Sequence, residues 1–130
     1  MEHKHVDLSF KQAFEGELTT ERGKFKIGAS EGTLLPYDML LAALGSCLYA
    51  TFLEIIEKKR IQFEKVEITI DGDKRDGIPA TLNNVHLALT VYGASKETGF
   101  DQALKLSTEY CSVYQTISKV AEMSYSLSFK

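Results

Sequence analysis

The sequence predicts a single α+β domain over residues 1–130, and three observations carry that prediction. Apolar and polar residues alternate near the N-terminus, in the middle and at the C-terminal end, which is the period of a half-buried strand. One long apolar segment, Leu34 to Arg60, has helical character. A second stretch of helical period separates the middle strands from the last one. A chain of this length buries about 68% of its unfolded surface, enough for one core and too little for an independent second one.

The elements follow in order. Val6, Leu8 and Phe10 alternate with polar neighbours, and two short runs, Gln12 to Thr20 and Lys24 to Ala29, flank the turn signal Glu21-Arg22-Gly23. Together they make an antiparallel N-terminal sheet. Ser30 to Thr33 is a glycine-containing loop feeding the long helix. Beyond that helix Val66, Ile68 and Ile70 alternate with charged or polar residues. The charged stretch Asp71 to Gly77 reads as a solvated hairpin loop. Val85, Leu87, Leu89 and Val91 mark the next strand, which ends at Gly93. From Glu97 to about Val120 the period is helical, with Phe100, Ala103, Leu104, Ser107 and Cys111 along one stripe and a break expected near Cys111. Met123, Tyr125, Leu127 and Phe129 alternate with three serines in a closing strand. The sheet is expected to be mostly antiparallel, with a long buried central helix and a second helix that also carries a cysteine.

The long helix sets the strongest constraint. Pro36 suits a first helical turn, Asp38 puts a negative charge near the positive end of the helix dipole, and Lys58, Lys59 and Arg60 place cations at the other end. Its length is roughly five to six turns. From Met39 to Leu53 apolar residues cover nearly the whole circumference, Leu40, Leu41, Leu44, Leu48 and Phe52 on one side and Met39, Ala42, Ala43 and Ala50 on the other. A helix apolar all round is buried all round. A membrane span needs ~20 apolar residues free of charge, and Asp38 and Glu54 bracket a shorter run, so the expected setting is the interior of a soluble protein. In so small a domain the helix needs a cover on its second side. The simplest cover is a second copy of the chain, in a homodimer.

Composition narrows the function. Hydrophobic content of 44% and charged content of 25% are ordinary for a globular chain, and a net charge of −3 offers no field for nucleic acid or an anionic membrane. The N-terminal MEHKHVDLSF has charges where a signal peptide needs an apolar run, so a cytoplasmic location is expected. His3, His5 and His86 show no convergent ligand spacing, and the expectation is no metal and no cofactor. The two cysteines leave three readings in a reducing compartment: inert packing, metal ligation or redox work. Taken alone, Cys47 in the middle of an apolar helix reads as a packed small hydrophobe, because burial raises a thiol pKa. Tyr49, Tyr110 and Tyr114 lie near the cysteines in sequence and read as core or as pocket lining.

Two motifs then change the reading. PYDMLLAALGSC, Pro36 to Cys47, and EYCSVYQTI, Glu109 to Ile117, resemble the two cysteine motifs of the OsmC/Ohr family, the osmotically induced and organic hydroperoxide resistance proteins, and the order of elements is similar along the whole chain. The resemblance implies the OsmC-like fold, an intertwined homodimer, Cys47 as the thiolate that attacks a small organic hydroperoxide, and Cys111 as the thiol that resolves the resulting sulfenic acid to a disulfide. It further implies a dithiol reductant, with lipoyl groups as one form. Such a cycle uses the reversible lower rungs of thiol oxidation.

Where the hydroperoxide resistance branch carries an arginine and a glutamate beside its thiolate, this chain has Phe14 and Tyr37, with Asp38 the nearest acid. Arg22, Lys24 and Arg60 are the cations on offer as substitutes. Phe14, Tyr37, Asp38 and Tyr114 are therefore the expected pocket residues. The aromatic pair also supports a second reading, a non-catalytic protein that binds a small apolar ligand.

Overall fold

The computed structural model describes every residue from Met1 to Lys130. The chain divides into two compact units, Met1–Ala42 and Ala43–Lys130, with the boundary inside the long helix.

The first unit is a three-stranded antiparallel meander of β1 (Asp7–Phe10), β2 (Glu15–Thr20) and β3 (Gly23–Gly28). The second strand starts later than the alternation predicts. Residues 12–14 bend instead, and the Phe14 ring stacks on Phe10 with centroids 5.9 Å apart. After β3 the loop folds back, with the Thr33 hydroxyl donating to the Ser30 carbonyl and Gly28 N–H donating to Leu34.

Helix α1 spans Pro36–Lys58. Its start follows from local chemistry. Proline at the first position has no N–H to leave unsatisfied, and the Asp38 carboxylate accepts the Leu35 N–H at 3.0 Å, the backward half of a capping box. Its end is an αL cap at Arg60, φ 58°, with Ile61 N–H reaching back to the Ile56 carbonyl. By length and composition α1 is apolar enough to cross a membrane, which the run bracketed by Asp38 and Glu54 was expected to be too short to do.

In the second unit, β4 (Lys65–Lys74), β5 (Leu82–Tyr92) and β6 (Glu122–Phe129) form a sheet with β5 central. β4 and β5 are antiparallel, whereas β5 and β6 are parallel. The parallel pairing needs a crossover, supplied by α2 (Phe100–Tyr110) and α3 (Ser112–Ser118). Val85, Leu87, Leu89 and Val91 point to one face and are buried. Four residues of the expected Asp71–Gly77 loop belong to β4 instead. Pairing with β5 decides this: Asp71 and Asp73 fall on the solvent face, where Asp73 accepts a hydrogen bond from the Asn84 amide, and charge is tolerated there.

The Ala43–Lys58 part of α1 lies on the apolar face of this sheet. A side chain at Gly45 would bring its Cβ within 2.7 Å of Ile70 Cδ1, so the glycine permits the close approach of helix to strand. Phe100, fully buried, sits at the centre, with its ring against Phe52 of α1, Phe63 and Phe129 of β6. The burial of α1 is narrower than expected. Leu44, Gly45, Leu48, Phe52 and Ile56 form one buried stripe at near four-residue spacing, while Ala42, Ala43, Ser46 and Ala50 are exposed in the single chain.

Candidate active site

Cys47 is half-buried, one position before the buried Leu48 and therefore at the edge of the stripe that faces the sheet. Cys111 is fully buried. Far apart in sequence, the two thiols come close enough for each to shift the other's ionisation. The helix expected to carry Cys111 is broken there. Cys111 ends α2 and caps α3 with φ −72° and ψ 114°, an extended conformation between two helices. Its own N–H still donates to the Ser107 carbonyl at 2.8 Å, and its sulfur accepts the Tyr114 N–H at 3.4 Å.

The break is what builds the site. In a continuous helix the N–H groups of Ser112 and Val113 would bond to carbonyls four residues earlier. Here they are the first N–H groups of a new helix and are turned toward Cys47. Burial acts to raise the Cys47 thiol. Donation from the Cys111 S–H, the Val113 N–H, the Ser112 hydroxyl and the Ser112 N–H outweighs it, and Cys47 ionises below the ordinary thiol range. Cys111 goes the other way. Burial first, then its hydrogen bond and charge repulsion with Cys47, push it up to about 11. Of the two thiols, Cys47 is thus the more readily ionised and Cys111 the one that keeps its proton to higher pH. The groups named are neutral donors, none of them the cations Arg22, Lys24 or Arg60.

The other expected pocket residues divide. Tyr114 is buried beside Cys111, and its phenol is raised by burial, then by Tyr125 and Cys111. Phe14, Tyr37 and Asp38 belong to the first unit. Phe14 is stacked on Phe10, Tyr37 occupies the first turn of α1, and the Asp38 carboxylate is engaged in capping that helix. Ser112 and Val113 were not singled out from sequence. The signal that bears on them is the break expected near Cys111 from the length of the helical stretch, since a break there frees the next N–H groups.

The chain is similar to known proteins along most of its length. A family model for OsmC-like proteins matches residues 28–126, which include both cysteines. The chain belongs to the OsmC-like family. Protein YhfA of Escherichia coli K12 is 28% identical over 93 residues, spanning 70% of this chain and 69% of YhfA. A hypothetical protein from Aquifex aeolicus VF5 is 30% identical and superposes with a TM-score of 0.91 over 100% of this chain and 98% of its own. An OsmC-like protein from Mycoplasma pneumoniae, at 16% identity and TM-score 0.87, covers 99% of both chains and shares the fold. This OsmC-like chain has two sheets and three helices.

Proposed function

We propose that this OsmC-like protein is a thiol peroxidase for small organic hydroperoxides, with Cys47 as attacking and Cys111 as resolving thiol. The observation that carries the reading is the pairing of two cysteines in different settings, a half-buried Cys47 whose thiol is pushed down by surrounding donors and a fully buried Cys111 whose thiol is pushed up. Membership of the OsmC-like family supports a peroxide-related redox role.

The chemistry balances. The Cys47 thiolate attacks the terminal oxygen of ROOH, the O–O bond breaks, and the alkoxide leaves and takes up a proton as ROH, giving Cys47 sulfenic acid. Cys47 is then neutral, so its charge repulsion no longer adds to the burial that holds Cys111 up. The Cys111 thiol loses its proton and attacks the Cys47 sulfur. Hydroxide leaves and is protonated to water, and the disulfide forms. An external dithiol returns both cysteines to the reduced state.

The N-terminal unit supports a homodimer. Val6, Leu8, Phe10, Phe14, Phe25 and Leu35 are all exposed in the single chain, more apolar side chains than a small monomeric unit leaves uncovered. A second copy would cover them, and light scattering on the purified protein measures this directly. For the activity, consumption of cumene hydroperoxide is followed with dihydrolipoamide or dithiothreitol as reductant. Turnover that Cys47→Ser abolishes is the expected result. Consumption no faster than that variant, with either dithiol, would sink the peroxidase and leave the ligand-binding alternative.

A further inference from the structure

The break between α2 and α3 carries a consequence for a residue with no other role. Where the helix stops at Cys111, the Thr108 carbonyl loses the N–H that Ser112 would have given it in a continuous helix. Thr108 is buried, so water does not replace that partner freely. The Gln115 side chain does. Its Nε2 donates to the Thr108 carbonyl at 2.8 Å, reaching back across the break from the second turn of α3, while the Gln115 backbone N–H donates to the Cys111 carbonyl at 3.0 Å.

Two arrangements compete for these groups. In one, Ser112 N–H bonds to Thr108, the helix runs straight through, and Cys47 loses the donors that the break presents. In the other, Gln115 occupies Thr108 and Ser112 and Val113 stay turned toward Cys47. Resting on the reading of Cys47 as the reactive thiol, we propose that Gln115 is a positioning residue: its side-chain amide holds the helix break open by satisfying the Thr108 carbonyl, which reserves the Ser112 and Val113 N–H groups for Cys47. Gln115 does not touch the reacting atoms. It acts through the backbone at Ser112 and Val113.

The test is the pH profile of Cys47 alkylation by iodoacetamide, followed on the Cys47 peptide by mass spectrometry, with melting temperature recorded in parallel. Gln115→Met keeps the length of the side chain and loses the donor. Its alkylation midpoint rises by about one pH unit, which lowers the thiolate fraction below the midpoint about tenfold. Gln115→Lys retains a donor of similar reach and restores the midpoint toward wild type. Should Gln115→Met not yield folded protein, Gln115→Leu, which also lacks the donor and adds no charge, carries the same expectation. A folded Gln115→Met protein with a wild-type midpoint overturns the proposal, whatever happens to its melting temperature, and so does a Gln115→Lys midpoint as high as that of Gln115→Met. Because the readout is thiol ionisation, a wild-type protein that turns over no hydroperoxide would defeat the peroxidase reading and leave the role of Gln115 to be decided by these profiles.

Discussion

Removing one donor from Cys47 tests the site where its chemistry is simplest. Ser112 presents a hydroxyl and a backbone N–H to the sulfur, and Ser112→Ala deletes the hydroxyl alone while leaving the backbone of α3 in place. A hydrogen bond to a charged acceptor contributes about 1.5–3 kcal/mol when enclosed. Ser112 is exposed and Cys47 is only half-buried, so water competes and about 1 kcal/mol is the reasonable share. At 1.36 kcal/mol per pH unit this raises the Cys47 pKa by about 0.7 units, and the thiolate population below the midpoint falls about fivefold. The assay is the second-order rate of Cys47 alkylation against pH, with Ser112→Thr as the control that keeps a hydroxyl. An Ala profile superimposable on wild type would refute the view that neutral donors, in place of a cation, set the ionisation of Cys47. A change in the plateau rate at high pH, with no shift in midpoint, would refute it equally, since it would mark altered access.

Three further outcomes follow from the same geometry. Cys111→Ala removes the resolving thiol, so one equivalent of cumene hydroperoxide leaves Cys47 as a sulfenic acid that dimedone traps, and catalytic turnover is lost. Absence of the dimedone adduct on Cys47, with turnover retained, would contradict the assignment. The raised pKa of Cys111 contributes stability to the reduced protein that is complete below the ordinary thiol value of 9.0 and is lost as pH rises to about 11, because only the unfolded chain releases that proton freely across this window. Urea unfolding of wild type should therefore weaken between these pH values more than that of Cys111→Ala, and parallel curves would argue against it. Phe100→Ala removes the ring shared by Phe52, Phe63 and Phe129 and costs about 3–5 kcal/mol, measured by denaturant unfolding. A loss under 1 kcal/mol would mean that the site collapses to refill the space.

Much of the fold is legible in the sequence because local rules act there without competition. Alternation at Val85, Leu87, Leu89 and Val91 marks a strand because only one face of it meets the core, and those four residues are buried. Pro36 and Asp38 mark the start of α1 because proline and a backward-reaching carboxylate satisfy a helix start using groups within four residues. The failures have a common cause. Asp71 to Lys74 carries loop composition yet pairs with β5, and the alternation of β6 is the same whether its neighbour runs parallel or antiparallel. Strand pairing is a long-range interaction, and neither its direction nor its extent is encoded in the period.

The site divides along the same line. By itself the sequence determined the two cysteine motifs, the helix that holds Cys47 and the approximate place where the second helical stretch breaks. It offered the cations Arg22, Lys24 and Arg60 as the activating group, because charge is the feature of a side chain that composition makes visible. Tertiary structure alone decided that Cys47 meets Cys111, that Asp38 is engaged by its own helix end, and that freed backbone N–H groups with the Ser112 hydroxyl face the thiol. The reason is physical. A backbone N–H is present at nearly every residue and becomes a functional group only where a fold withholds its usual partner, as the break at Cys111 does for Ser112 and Val113.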